Sequence, residues 1–135
     1  MSINNITSPV DIAISGLKAQ NKNMQAISSN VANARTTDVG NGQPYRRIEA
    51  IMKAVDKDGI TGVEVDEMSE DASAFTMILN PGHAQANAEG YVAMPNVDMP
   101  IEMMNLNLAS RAYQANAAVL KRYQTMAHTS LELLK

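Results

Sequence analysis

Residues 98–135 read DMPIEMMNLNLASRAYQANAAVLKRYQTMAHTSLELLK, and the fold turns on how this stretch is read. Met99, Leu106, Tyr113, Leu120, Ala127 and Leu134 recur every seven residues. A seven-residue apolar column keeps one seam of a helix facing a partner helix. Asp98 and Pro100 open the helix. No glycine or proline follows between Ile101 and Lys135. The spacing therefore predicts a single helix of about 35 residues, roughly 50 Å long. That is about three times the usual helix. In so short a chain it must project or find neighbours along its length.

The opposite end carries a matching pattern. Ile3, Val10, Leu17, Met24 and Val31 form one seven-residue column, and Ile6, Ala13, Gln20, Ile27 and Ala34 a second, in which only Gln20 is polar. Ser8 is placed to cap, Pro9 fits the first helical position, and Asp11 puts negative charge at the positive end of the helix dipole. This helix is expected to run to about Asn33 or Ala34. Gly16 weakens it by roughly 1 kcal/mol relative to alanine and reads as a point of close packing. Burying its mid-sized apolar side chains yields at most about 15–25 kcal/mol. Ordering some 25 residues of backbone costs on the order of 25–50 kcal/mol. The N-terminal segment is therefore expected to be loose in the monomer and to order when several chains supply its neighbours.

Between the helices the pattern changes. Thr36 to Pro44 is turn chemistry, and Tyr45 to Val55 fits neither the helical nor the strand period. Asp56-Lys-Asp-Gly59 is a strong turn, and Val63 and Val65 alternate with Glu64 and Asp66, which predicts a hairpin with Asp58-Gly59 at its tip. A third strand is expected at Phe75 to Leu79, ended by Asn80-Pro81-Gly82, and a fourth at Tyr91 to Met94. With few large apolar residues, this module must lean on the helices. The expected fold is mainly α with a small β insertion: two long terminal helices, packed antiparallel as a coiled-coil stem, with a β-hairpin module between them. The divisions fall at 1–38, 39–95 and 96–135.

Composition excludes more chemistry than it suggests. The 135 residues carry a net charge of −3 with lysine and arginine scattered, so no basic stripe argues for nucleic acid. Ten methionines but only four tyrosines, one phenylalanine and no tryptophan suit thin, adaptable helix packing. There is no cysteine, which removes disulfides and thiol chemistry. No apolar run reaches the ~18 residues of a membrane span, and a basic segment followed by an apolar one, as in a cleavable signal, is missing. His83 and His128 stand apart, outside any metal-ligand spacing. Glu64, Asp66, Glu67, Glu70 and Asp71 lack the spacing of a calcium loop and read as a solvated hairpin end. No catalytic, cofactor-binding or metal-binding set emerges, and no small-molecule substrate. A hydrolase using His83 with the acidic cluster is the weakest reading.

Several motifs together resemble a known family. Ile27-Ser-Ser-Asn-Val-Ala-Asn-Ala34 resembles the N-terminal signature of flagellar rod and hook axial proteins. Asn96-Val-Asp98, Glu102-Met103 and Ser110-Arg-Ala-Tyr-Gln-Ala-Asn116 resemble their C-terminal signature. Gly42-Gln-Pro-Tyr-Arg-Arg47, Asn80-Pro81 and Gly90-Tyr-Val-Ala-Met-Pro-Asn-Val97 narrow the likeness to the proximal-rod branch. The resemblance implies a structural subunit of the bacterial flagellar basal body, not an enzyme. It further implies export through the flagellar type III apparatus without a cleaved signal, and a place in the rod that crosses the periplasm. Expected partners are other rod subunits, copies of itself, and proteins at the junction of membrane ring and export gate. The subunit-interface candidates are Leu17, Met24, Asn30, Val31 and Asn33 on the first helix. On the last they are Leu106, Arg111, Tyr113, Asn116 and Leu120. Another flagellar rod subunit, or a cytosolic coiled-coil adaptor or export chaperone, would carry similar helices.

Overall fold

A computed structural model describes residues 9–57 and 60–133. The expected Ser8 cap, the column positions Ile3, Ile6 and Leu134, and the Asp58-Gly59 tip lie outside the described residues. The elements run α1 (Pro9–Ala32), β1 (Ile48–Lys57), β2 (Ile60–Glu70), β3 (Thr76–Leu79), β4 (Tyr91–Met94) and α2 (Met99–Glu132).

The helix pair is built on small residues. Ala13, Gly16, Ala19, Ala26, Ile27 and Asn30 are the buried positions of α1; the intervals of three and seven residues, with Ile27 next to Ala26, keep them on one side of the helix. Short side chains on that face let α2 come close. Asn116 lies so tightly over Gly16 that a Cβ built there would meet its Nδ2 at 2.7 Å and its Cγ at 2.9 Å. Farther along, Asn30 of α1 touches Glu102 of α2. Moving fourteen residues forward on one helix thus moves fourteen back on the other, and the pair is antiparallel. The expected close-packing role of Gly16 is what the structure shows. Gly16→Ala pits a helix-propensity gain of about 1 kcal/mol against overpacking of about 1–3 kcal/mol. The three atoms within 3 Å of the new methyl are the side-chain amide of Asn116, which must give up its bond to Ala112 O to move aside, so overpacking wins. A urea unfolding midpoint below that of the parent chain is the expected result, and one above it would contradict the close approach.

α2 begins as its sequence dictates. Asp98, in extended backbone, accepts from the Ile101 amide at 3.1 Å and satisfies one orphan donor of the first turn. Only Glu102 and Ala109 are buried on this helix, and every described residue from Lys121 onward is exposed.

The segment left open by its period is a strand: β1 pairs antiparallel with β2 from Ile48↔Glu70 to Lys57↔Ile60, with a bulge between Ile51 and Met52. β2 continues through the acidic run because its acids project from one half-solvated ribbon. Such a ribbon is marginal alone. α1 supports it: the Val63 amide donates to Ser15 Oγ at 3.2 Å, and that hydroxyl donates to Ile12 O at 2.7 Å. β3 and β4 form a second two-stranded sheet, Thr76↔Met94 to Leu79↔Tyr91. The apolar core is thin, consisting of Ala13, Ala19, Ala26, Ile27, Val92 and Ala109.

Candidate functional site

Where α1 ends and α2 begins, three elements meet on a buried polar cluster. Asn30 and Glu102 are both fully buried. The Asn30 amide nitrogen donates to Glu102 Oε2 and to Ile48 O, each at 2.9 Å. Its oxygen accepts from the Ile48 amide at 2.9 Å and from the Tyr45 hydroxyl at 3.0 Å. All four hydrogen-bonding positions of one side-chain amide are filled. Asn30 thus presents a helix side chain to the first residue of β1 as a strand would present a peptide group. The last turn of α1, the start of the hairpin and the first turn of α2 are fixed to one another.

Charge enters through Arg47. Its Nε donates to Glu102 Oε1 at 2.7 Å, and its Nη1 reaches Glu49 and, at 3.3 Å, Asp71 Oδ2. Burial weighs against the guanidinium, but its hydrogen bonds to Glu49 and Glu102 outweigh that and raise its pKa. The planar fork holds three carboxylates from three segments, which a lysine does not do. Asn96 extends the cluster by accepting from the Arg47 amide at 2.9 Å and donating to Asp71 O at 3.1 Å and Ser73 Oγ at 2.8 Å. Arg46 donates to Asp71 O at 2.7 Å and lies 4.2 Å over the Phe75 ring. No buried side-chain polar atom among the described residues lacks a partner.

Asp71 therefore departs from the solvated reading of the acidic run. Hydrogen bonds from Ser73, and then the Arg47 charge, hold its carboxyl below the ordinary value of 3.8. Its folded pKa is depressed, so its contribution is present above the unfolded value of about 3.9 and fades as pH falls through the lowered one. Wild type and Asp71→Asn should thus differ in unfolding midpoint at neutral pH and converge in acid. A difference independent of pH would exclude the role of the charge.

The expected interface residues fall in different places. Asn30 is at the centre of the polar cluster. Asn33 closes the end of α1, donating to Ser29 O at 2.9 Å and accepting from Thr36 Oγ1 at 3.1 Å. Asn116 packs on Gly16 and donates to Ala112 O at 3.0 Å within its own helix. Leu17, Met24, Val31, Leu106, Tyr113 and Leu120 are half-buried, and Arg111 is exposed. Gln20 lines a groove of about 500 Å³ between α1, β1 and α2. Sequence reasoning passed over Glu102, Arg47, Tyr45 and Asn96 as site residues, although each lies inside a quoted motif. The available signal was an acid at Glu102, seven residues before Ala109 and on the same helix face.

Beside this fastened pair, apolar side chains face outward. Ile101, Met104 and Leu108, one above another on α2, are 48%, 57% and 57% exposed, and Met77, Ile78 and Leu79 of β3 are exposed as well. Contiguous exposed apolar surface marks an interaction site. Among the described residues no acidic or histidine cluster is arranged to hold a metal ion, and no helix is long and apolar enough to cross a membrane. His83 accepts from the Gln85 amide at 3.1 Å, and His128 lies beside Glu132 on the exposed part of α2.

Comparison with known proteins places these features. Residues 11–38 match the family model described as flagella basal body rod protein, and residues 88–133 the one described as flagellar basal body rod FlgEFG protein C-terminal. The two matches cover the two helices. The chain is 38% identical over 135 residues to the flagellar basal-body rod protein FlgC of Yersinia enterocolitica, covering 98% of each chain. It is 40% identical over 125 residues to that of Salmonella typhimurium, covering 91% of this chain and 93% of the relative. With the Bacillus subtilis protein the identity is 34% over 145 residues, covering 93% and 96%.

Proposed function

Because the chain belongs to the FlgC-type flagellar basal-body rod proteins, we propose that its helix pair is the polymerising part of the proximal rod. It is a structural subunit of the flagellar basal body and not an enzyme. In this reading the rod crosses the periplasm, and the chain reaches it through the flagellar type III apparatus without a cleaved signal. Neighbouring rod subunits and copies of itself complete a coiled-coil stem around its helices. Proteins at the junction of membrane ring and export gate meet its inner end. Torque passes along the rod because each subunit is stiff and its neighbours interlock.

The observation that carries this reading is the exposed row Ile101, Met104 and Leu108, which lies beside a helix pair already closed on itself by Asn30, Glu102 and Arg47. A helix fastened within its own subunit and still apolar on its outer side has a seam left for other chains. The interface candidates divide accordingly. Leu17, Met24, Val31, Leu106, Tyr113 and Leu120 flank the intramolecular seam and offer partly covered apolar surface to a neighbour, while Arg111 offers a free fork of donors.

The test is fractionation of the host cell. The tagged chain should co-purify with detergent-extracted basal bodies at their rod end. Recovery only as a small soluble oligomer in the cytosol would favour an adaptor or export chaperone instead.

A further inference from the structure

Charge in this chain is strongly segregated. The hairpin segment, residues 48–71, holds eight aspartates and glutamates against two lysines, six negative charges net. Helix α2 from Met103 to Leu131 holds no acid, and its cations are Arg111, Lys121 and Arg122. Arg111 and Arg122 are exposed and make no ion pair among the described residues, and Met126, on the same stripe, is 67% exposed. On the hairpin, Ile51 opposes Glu67 and Lys53 opposes Glu64, so these four side chains share one face. The other face carries Ile48, Ala50 and Met52, which line the groove against α1. Ile51 is 40% exposed, and Glu67 has no ion-pair partner among the described residues. Glu64 lies 3.5 Å from Lys53, which it shares with Asp66, so the face keeps a net negative charge.

Within one subunit these two surfaces do not meet. The antiparallel pairing of Asn30 with Glu102 and of Gly16 with Asn116 places Arg122 near the start of α1. Glu67 lies toward the end of α1, since Ile48, three residues before its cross-strand partner Ile51, bonds Asn30. Glu64 lies nearer the start of α1, beside the Val63 that bonds Ser15, but among the described residues neither strand of the hairpin makes backbone contact with α2.

We propose that the Arg111–Arg122–Met126 stripe of one copy docks on the Ile51–Glu64–Glu67 face of the hairpin of a second copy. The inference rests on the rod reading and names one contact within it. Both surfaces combine opposite charge with an exposed apolar side chain, and such complementarity selects partner and register. Fixed charges at spaced positions also resist sliding between copies, which a purely apolar seam does not.

Charge exchange tests the contact in a strain deleted for the gene. The double variant Arg111→Glu/Arg122→Glu should lose motility, as should Glu64→Arg/Glu67→Arg. The chain with all four substitutions should regain it, because the reversed charges again face each other. Circular dichroism of each purified variant should match the parent, since all four positions are exposed. The chain has no native cysteine, so Glu67→Cys/Arg122→Cys supplies a second readout. Oxidation of isolated basal bodies should link copies into dimers and longer ladders. Loss by both pairs without rescue, or no loss by either, would overturn the proposal, as would a cysteine variant that stays monomeric in intact basal bodies. The rod reading fails separately, if basal bodies form without the gene.

Discussion

Replacing Arg47 by alanine should destabilise the subunit by about 3–5 kcal/mol, the cost of leaving a buried charge without its partner. The asymmetry of the cluster makes this the most damaging change in it. Glu102 is fully buried and, among the described residues, Arg47 is its one cation. Without the guanidinium, that carboxylate keeps only the Asn30 amide. Glu102→Ala is milder, because Arg47 retains Glu49 and Asp71, and should cost about 1–3 kcal/mol for the unsatisfied groups left behind. Arg47→Lys should fall between parent and alanine, since one ammonium keeps a charge for Glu102 but does not span three carboxylates. With a urea slope of about 1–3 kcal/mol per molar, the Arg47→Ala midpoint should drop by at least about 1 M. If Glu102→Ala proved the more costly, the charge would not be what holds the cluster.

Met104→Asp should separate folding from assembly. The side chain is 57% exposed in the subunit, so its replacement should change stability by no more than about 0.5 kcal/mol. If neighbouring subunits cover this row in the rod, as proposed, an aspartate there places a carboxylate in an apolar seam. Loss of a central apolar anchor costs a binding interface about 2 kcal/mol or more, a factor of thirty or so per contact, repeated at every subunit. The expected outcome is a chain with parental circular dichroism and unfolding midpoint in cells that do not swim. Motility at the parental level would show that this row faces water in the rod.

The helices were legible because local chemistry and long-range packing agree on them. Pro9 and Asp98 mark their starts, and no breaker interrupts α2. Gly16 was legible for a related reason: a costly glycine inside a helix needs a close neighbour, and Asn116 is that neighbour. The polar cluster was less legible. An acid in a first turn, as Glu102 is, looks like a complement to the helix dipole, and its burial depends on Arg47, fifty-five residues earlier. Asn30 was visible as a candidate for subunit contact, yet in the subunit its four hydrogen-bonding positions are spent on β1, Tyr45 and Glu102. β1 was ambiguous because Ile51, on its outward face with Glu49 and Lys53, is as apolar as the inward Ile48, Ala50 and Met52, so the sequence does not show the alternation that the strand adopts. The acidic run hid only the far half of β2, Glu67 to Glu70, since a half-solvated ribbon places charges where a loop would.

Electron microscopy of basal bodies from cells lacking the gene bears most directly on the account. Membrane rings without a rod, in cells that do not swim, are expected, and re-expression should restore both rod and motility. Complete basal bodies in the deleted strain would contradict the assignment of this chain to the rod.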